Sequence, residues 1–289
     1  MRFDRERVVR VVRRDVMRAV LMAVVIASVG TPVRAQSTGS ADTLHARKTL
    51  FTWRDAALAG GFTGLTIAMF PLDKRFATRL QDSTTQANRF FKHASHGVEY
   101  IADPGSIVIG VGLYAVGRVA HWKEVADLGL HGEEAIALSG AITDLVKISA
   151  GRARPYVSND TSPHDFRFGR GLHSGSYQSF PSGHATAAFA AASLVTSESR
   201  RWWPHGVWLV APAMYGGAGL VALSRMYNNK HWASDVVVGA AIGTFSGLKV
   251  ERYNHSHPNN FIDRNLLHIS VAPGPDGGMR LGWVSNGDP

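Results

Sequence analysis

Four consecutive residues, Pro181-Ser182-Gly183-His184, constrain this chain most, because a small-residue run from Ala185 to Ser193 follows them directly. Pro181 cannot continue a preceding element, Ser182 is a favoured N-cap and the Ala-rich segment favours helix, so these residues predict a helix start. Such a start offers free backbone N–H groups and the positive end of the helix dipole to an anion, and His184 stands in the first turn beside it. Basic clusters flank it: Lys147-Ile-Ser-Ala-Gly-Arg-Ala-Arg154-Pro155 upstream, and Ser224-Arg225 with His231 and Asp235 downstream. Three cations, two histidines and a carboxylate therefore stand near predicted helix ends in three separate segments, able to converge on one phosphate-sized anion.

The N-terminus reads as a targeting segment. Residues 1–35 combine a basic region from Arg2 to Arg18, an apolar run from Ala19 to Val29 and a small-residue cleavage site at Val33-Arg34-Ala35. An export signal is the expectation, with an uncleaved membrane anchor as the alternative. Eight Arg and three acids lie in this segment, so five of the formal +9 charges leave with it. The remaining +4 is not concentrated in any run dense enough to track a nucleic-acid backbone, so no nucleic-acid partner is expected. The chain has no cysteine, which excludes disulfides and thiolate zinc sites.

Residues 36–52 read as a flexible polar leader and residues 53–250 as a helical body, with the motifs concentrated in 130–250. A Gly-interrupted apolar helix is expected from Trp53 to Phe70, where Pro71 ends it. An amphipathic helix over 84–100 carries Phe90, Phe91, Val98 and Ile101 on one face. His93, His96 and Glu99 have metal-ligand spacing there, but a solvated face is the simpler reading, and no metal is expected. After the apolar segment Ser106 to Ala120, a charged connection leads to a helix over about Glu133 to Ala150. Residues 156–180 form a long loop, read as covering the site and helping to choose the substrate, with a merely solvated loop as the alternative. Further helices are expected over Gly183 to about Glu198 and about Trp232 to Val250, with Gly206 to Leu223 as a buried central helix and a membrane span as its alternative. Residues 251–289 read as a tail whose segments Leu267–Ala272 and Met279–Val284 alternate across a Pro/Gly-rich turn, the pattern of a small β-hairpin.

His231 and Asp235 lie four apart, on one helix face, so the carboxylate can bond one imidazole nitrogen and leave the other as nucleophile. Phosphoryl transfer needs donors for the equatorial oxygens, an in-line nucleophile and an acid for the leaving oxygen. Lys147, Arg154 and Arg225, with Ser182 and the backbone at Gly183, suit the first task, His231 the second and His184 the third. The scheme requires no cofactor.

The three segments resemble the signature of the type 2 phosphatidic acid phosphatase family, whose helical fold is shared with bacterial non-specific acid phosphatases and vanadium haloperoxidases. That signature is a Lys, six residues and Arg-Pro; then Pro-Ser-Gly-His; then Ser-Arg, five residues, His, three residues and Asp. Lys147, Arg154, Pro155, Pro181 to His184, Ser224, Arg225, His231 and Asp235 match it throughout. The resemblance covers about residues 130–250. It implies an all-α bundle, a metal-independent phosphatase and a phosphohistidine on His231.

Phosphorylated small molecules, or lipid phosphates and diphosphates such as phosphatidic acid or undecaprenyl diphosphate, are the substrate classes this implies. A vanadate-dependent haloperoxidase is the alternative, disfavoured by the short chain, and a non-catalytic envelope protein on the same fold a second. Apolar runs mostly below 20 residues and a mean hydropathy of −0.05 lead to the expectation of an exported, periplasmic body, soluble or partly membrane-embedded, in contact with a membrane surface. The sequence leaves the oligomeric state open.

Overall fold

Gly151 stops the longest of the described helices by taking a left-handed conformation (φ 56°), which frees the next residues to turn back across the helix end. In the computed structural model, residues 49–158, 161–258, 260–266, 269–273 and 279–283 are described. The expected export signal and most of the leader lie outside them.

The first helix, α1 (Trp53–Met69), runs into a 3-10 turn at Phe70–Leu72 built on Pro71 and continues as α2 (Asp73–Leu80). Short α3 (Ser83–Gln86) leads to α4 (Arg89–Tyr100), whose first N–H groups are capped by Asn88. A π-helical link at Ile101–Gly105 joins it to α5 (Ser106–Val119). Then α6 (Lys123–Ala150), α7 (Gly183–Trp202), α8 (Val207–Tyr227) and α9 (Ala233–Ser256) form the body, followed by α10 (Phe261–Leu266). Two short strands, β1 (Ile269–Pro273) and β2 (Met279–Trp283), pair antiparallel with Val271 opposite Leu281.

The all-α expectation holds for the body, with two boundary corrections. The charged connection before Glu133 is the beginning of α6: Lys123 and Glu124 stay exposed in its first turn, while Asp127 lies toward buried His131. Likewise α9 runs past residue 250 to Ser256, and Asn254 on that extension donates to Glu134 Oε2 at 2.6 Å.

Small residues allow the central helices to meet closely. Gly239, Gly243 and Gly247 form a stripe on α9 facing α7; a Cβ at Gly243 would stand 2.1 Å from Thr186 O, and one at Gly247 2.0 Å from Ser193 Oγ. Stripes of this kind let helix backbones pack together without large side chains, as in helix pairs within lipid. The core is correspondingly small and partly polar, with Ala135, Ala190, Leu194 and Val250 clustered together and buried Thr143 donating to Thr186 Oγ1.

Large apolar side chains point outward instead. Trp208 is 74 % exposed, Leu220 57 %, Val108 68 % and Leu145 68 %. Trp53–Leu80, Pro204–Tyr227 and Ala233–Ser256 are each long and apolar enough to cross a membrane. This corrects the expectation of a buried central helix at Gly206 to Leu223: only 17 % of the Pro204–Tyr227 window is buried, against 61 % for Ala233–Ser256. It also replaces the soluble alternative with a membrane-associated body, since such apolar cover is otherwise exposed to water. Helix α4 agrees, with Phe90 and Phe91 facing out and Ser95 bonding inward to Asn228 on the C-terminal side of α8.

Candidate active site

The C-terminal end of α6, the N-terminal end of α7, the C-terminal end of α8 and the N-terminal end of α9 bring the three motifs together. Lys147 is in the last turn of α6, held 3.1 Å from Asp144 Oδ1. Its ammonium lies against the start of α7, where a Cβ on Gly183 would be 2.9 Å from Lys147 Nζ. Ser182 is the N-cap of α7, fully buried, and its hydroxyl has no hydrogen-bond partner. A buried, unpaired hydroxyl beside an ammonium and a helix N-terminus is suited to an oxyanion.

His231 is buried just before α9. Its Nδ1 donates to the Ser179 carbonyl at 2.6 Å, which selects the tautomer and leaves the Nε2 lone pair free. The expected partner, Asp235, is farther away, with Oδ2 3.7 Å from Nδ1. That carboxylate is already committed: Oδ2 accepts from Ser179 Oγ at 2.5 Å and from the Trp232 N–H at 2.8 Å, and Oδ1 pairs with Arg152. Asp235 therefore positions His231 through Ser179 rather than by a direct bond. Burial, joined by the charges of Arg154 and Arg225, outweighs the pull of Asp235 and lowers the imidazole of His231 to about 4. It is neutral at neutral pH.

Arg152, within the first basic cluster but given no role by sequence reasoning, is the centre of the supporting network. Fully buried, it donates to Asp73 Oδ2 at 2.7 Å, Ser234 Oγ at 2.8 Å and the Pro163 carbonyl at 2.6 and 2.9 Å, besides Asp235. Phe70, Phe166, Phe180 and Trp232 surround its guanidinium, 4.9 to 6.0 Å from their ring centres. Asp73 also accepts from the Ser234 N–H at 2.8 Å, tying α2 to the start of α9. The spacing of Asp73 from the motifs offers no signal for this role; Arg152 had one in its cluster, indistinguishable from that of Arg154.

Arg154 points its Nε to the Gly175 carbonyl at 2.9 Å, so the loop over residues 156–180 is tied to the motif. Arg170, stacked 4.0 Å from Tyr177, fastens it further by bonding the Gly151 carbonyl at 2.8 and 3.1 Å. Buried Arg225 pairs with Glu99 on α4, and Asn228 donates to the same carboxylate at 2.8 Å. His184 Nε2 lies 4.0 Å from Glu99 Oε1. Burial works to raise the Glu99 carboxyl, but bonding to Arg225 and its charge prevail and hold it below the usual carboxylate range. Glu99 thus pairs with the motif residue Arg225 and stands beside His184, rather than forming a ligand set with His93 and His96. Beside it opens a cleft of about 470 Å³ lined by His96, Glu99, Tyr100, Asn228 and Lys230.

The model of the PAP2 superfamily matches residues 134–256, the span holding all three motifs. Residues 134–256 are thus similar to the PAP2 superfamily. Among similar proteins, a lipid A 1-phosphatase of Porphyromonas gingivalis is 37% identical over 114 residues, 39% of this chain and 20% of that protein. A lipid A 1-phosphatase of Rhizobium johnstonii is 34% identical over 116 residues, 39% of this chain and 42% of that protein. A PA-phosphatase related-family protein of Dictyostelium discoideum is 28% identical over 155 residues, covering 50% and 54% of the two chains. The chain therefore spans from a fifth to about half the length of these relatives. The crystal structure of a transmembrane PAP2-type phosphatidylglycerolphosphate phosphatase from Bacillus subtilis has the same fold, with a TM-score of 0.52 and 18% identity over 71% of this chain and 97% of that one.

Proposed function

We propose that the chain is a membrane-bound phosphatase that removes phosphate from a lipid phosphate or diphosphate through a phosphohistidine on His231. The observation that supports this best is His231 itself: buried, neutral, its Nδ1 bonded to Ser179, and under the charges of Arg154 and Arg225. Nε2 attacks phosphorus, forming the N–P bond as the ester P–O bond breaks, and His184 gives its proton to the leaving oxygen. Water then attacks the phosphohistidine, His184 takes a proton from it, and phosphate departs with His231 restored. Lys147, Arg154, Arg225, Ser182 and the Gly183 N–H hold the equatorial oxygens while charge moves between nitrogen and leaving oxygen. No metal is needed for these steps.

The outward apolar faces and the adjacent cleft favour an amphipathic substrate. Tyr100, 73 % exposed, offers apolar surface there and Lys230 a cation beside the head group. With the export signal read in residues 1–35, the site is assigned to the periplasmic face of the membrane. Phosphate release by the full chain in detergent and chelator, with phosphatidic acid, undecaprenyl diphosphate and a soluble monoester in parallel, tests the proposal. Release from lipid that His231→Ala abolishes is expected; equal release by wild type and variant would overturn the nucleophile assignment, and preference for the soluble ester the substrate class.

A further inference from the structure

A second cluster of ionisable side chains lies at the other end of the helical body, where the phosphatase chemistry has no use for it. His131 on α6 is about 24 Å along the helix from Lys147, at 1.5 Å per residue. Glu198 near the end of α7 and His255 in the last turn of α9 join it, one ligand atom of each lying within 4.8 Å of the others. His255 Nε2 is 2.7 Å from Glu198 Oε1, and His131 Nδ1 is 3.8 Å from the same oxygen.

The orientation of His131 is informative. Its Nε2 is 3.1 Å from Asp263 Oδ1 on α10, a bond that places a proton on Nε2, so the neutral ring carries its lone pair on Nδ1. That Nδ1 is buried without a hydrogen-bond partner and faces Glu198 and His255. An imidazole held by a carboxylate on one nitrogen and aimed with the other at further ligands is the arrangement that supports a bound metal ion. The charge balance points the same way. Asp127, Glu134, Glu198 and Asp263 all act on His131, so four carboxylates face two imidazoles. Lys123 acts on Asp127 and Asn254 bonds Glu134, yet Asp127 Oδ1 and Glu134 Oε1 remain buried without partners. The surplus of carboxyl groups over imidazoles suits a cation at this end of the body.

We propose that His131, Glu198 and His255 bind a divalent transition-metal ion, zinc by the chemistry of a two-imidazole, one-carboxylate set, and that the ion clamps α6, α7 and α9 at the end remote from the active site. Tetrahedral zinc ligands lie about 3.3 Å apart, so rotations that draw the three groups together by an ångström or so complete the site. The side chain of His255, 26 % exposed, leaves an entry path. None of these residues belongs to the active site, so the inference does not depend on the proposed activity.

The test uses the full chain in detergent, stripped with chelator, then given zinc and desalted before metal analysis and thermal unfolding. About one zinc per chain and a higher melting temperature are expected. Glu198→Gln and His255→Gln are expected to lose both the ion and the shift, and Asp263→Asn to weaken binding roughly 10- to 100-fold. His255→Gln changes a partly exposed side chain, so it remains informative if His131→Gln fails to fold. Folded wild-type protein that retains no zinc and shows no shift would overturn the proposal. So would zinc binding that survives Glu198→Gln and His255→Gln, which would place the ion elsewhere, for example on His93 and His96.

Discussion

Replacing Arg152 with Met would remove a cation that pairs with two buried carboxylates, Asp73 on α2 and Asp235 on α9. Met fills much of the same volume among Phe70, Phe166, Phe180 and Trp232, so the change isolates charge and hydrogen bonding from packing. Breaking a buried ion pair from one side costs about 3–5 kcal/mol, because the remaining charge is left without compensation. At about 2–4 °C per kcal/mol for a body of this size, the melting temperature should fall by roughly 6–20 °C. Tryptophan fluorescence during heating of the detergent-solubilised chain reads it directly, Trp232 lying inside the network. Adding Asp73→Asn to Arg152→Met should recover part of the loss by neutralising one of the two orphaned carboxylates. Phosphate release should fall in both variants, since Asp235 and Ser179 would no longer be held against His231. A melting temperature within about 2 °C of wild type for Arg152→Met would refute the reasoning, because a buried network cannot lose the cation shared by its two carboxylates at so small a cost.

The protonation of His231 makes a kinetic prediction. Its value in the folded chain, about 4, lies below the ordinary 6.5, so the neutral nucleophile persists as pH falls and is lost only through about 4. The acid limb of kcat/KM should therefore lie near pH 4, and a limb at about 6.5 in the free enzyme would contradict the assignment. Close helix packing makes another. Gly243→Ala would place a Cβ 2.1 Å from Thr186 O and push α7 from α9, at a cost of about 1–3 kcal/mol, read as a lower melting temperature and reduced phosphate release. Gly140→Ala on α6, where nothing lies within 4 Å of the added carbon, should leave both measurements near wild type.

The helix starts and stops that carry the motifs were legible because they depend on local chemistry. Pro181 and the Ala-rich run after Ser182 mark the start of α7, Gly151 ends α6 in a left-handed conformation, and Asp235 Oδ2 accepts from the Trp232 N–H at the start of α9, all within a few residues. A spacing of residues could also say that Lys147, Arg154, Arg225, His184 and His231 stand near helix ends. It could not distinguish Arg154, which faces the loop and the site, from Arg152, buried two residues away, because both are cations in one short cluster. Nor could it find Glu99 or Asp73, whose partners lie far along the chain.

The amino-acid sequence alone determined the helical class, the three motif segments and the chemistry they are able to perform, since capping, periodicity and side-chain type are local properties. Tertiary structure decided which face of each helix is inside. An apolar stripe looks the same whether it meets a protein core or lipid, so the outward turn of Trp208, Leu220 and Phe90 became apparent only when the small, polar faces of α7 and α9 were seen packed together. It also decided that a backbone carbonyl, Ser179 O, and not the carboxylate of Asp235, bonds His231. A carbonyl oxygen has no side-chain identity to read, and its approach depends on where the loop over residues 156–180 is tied down.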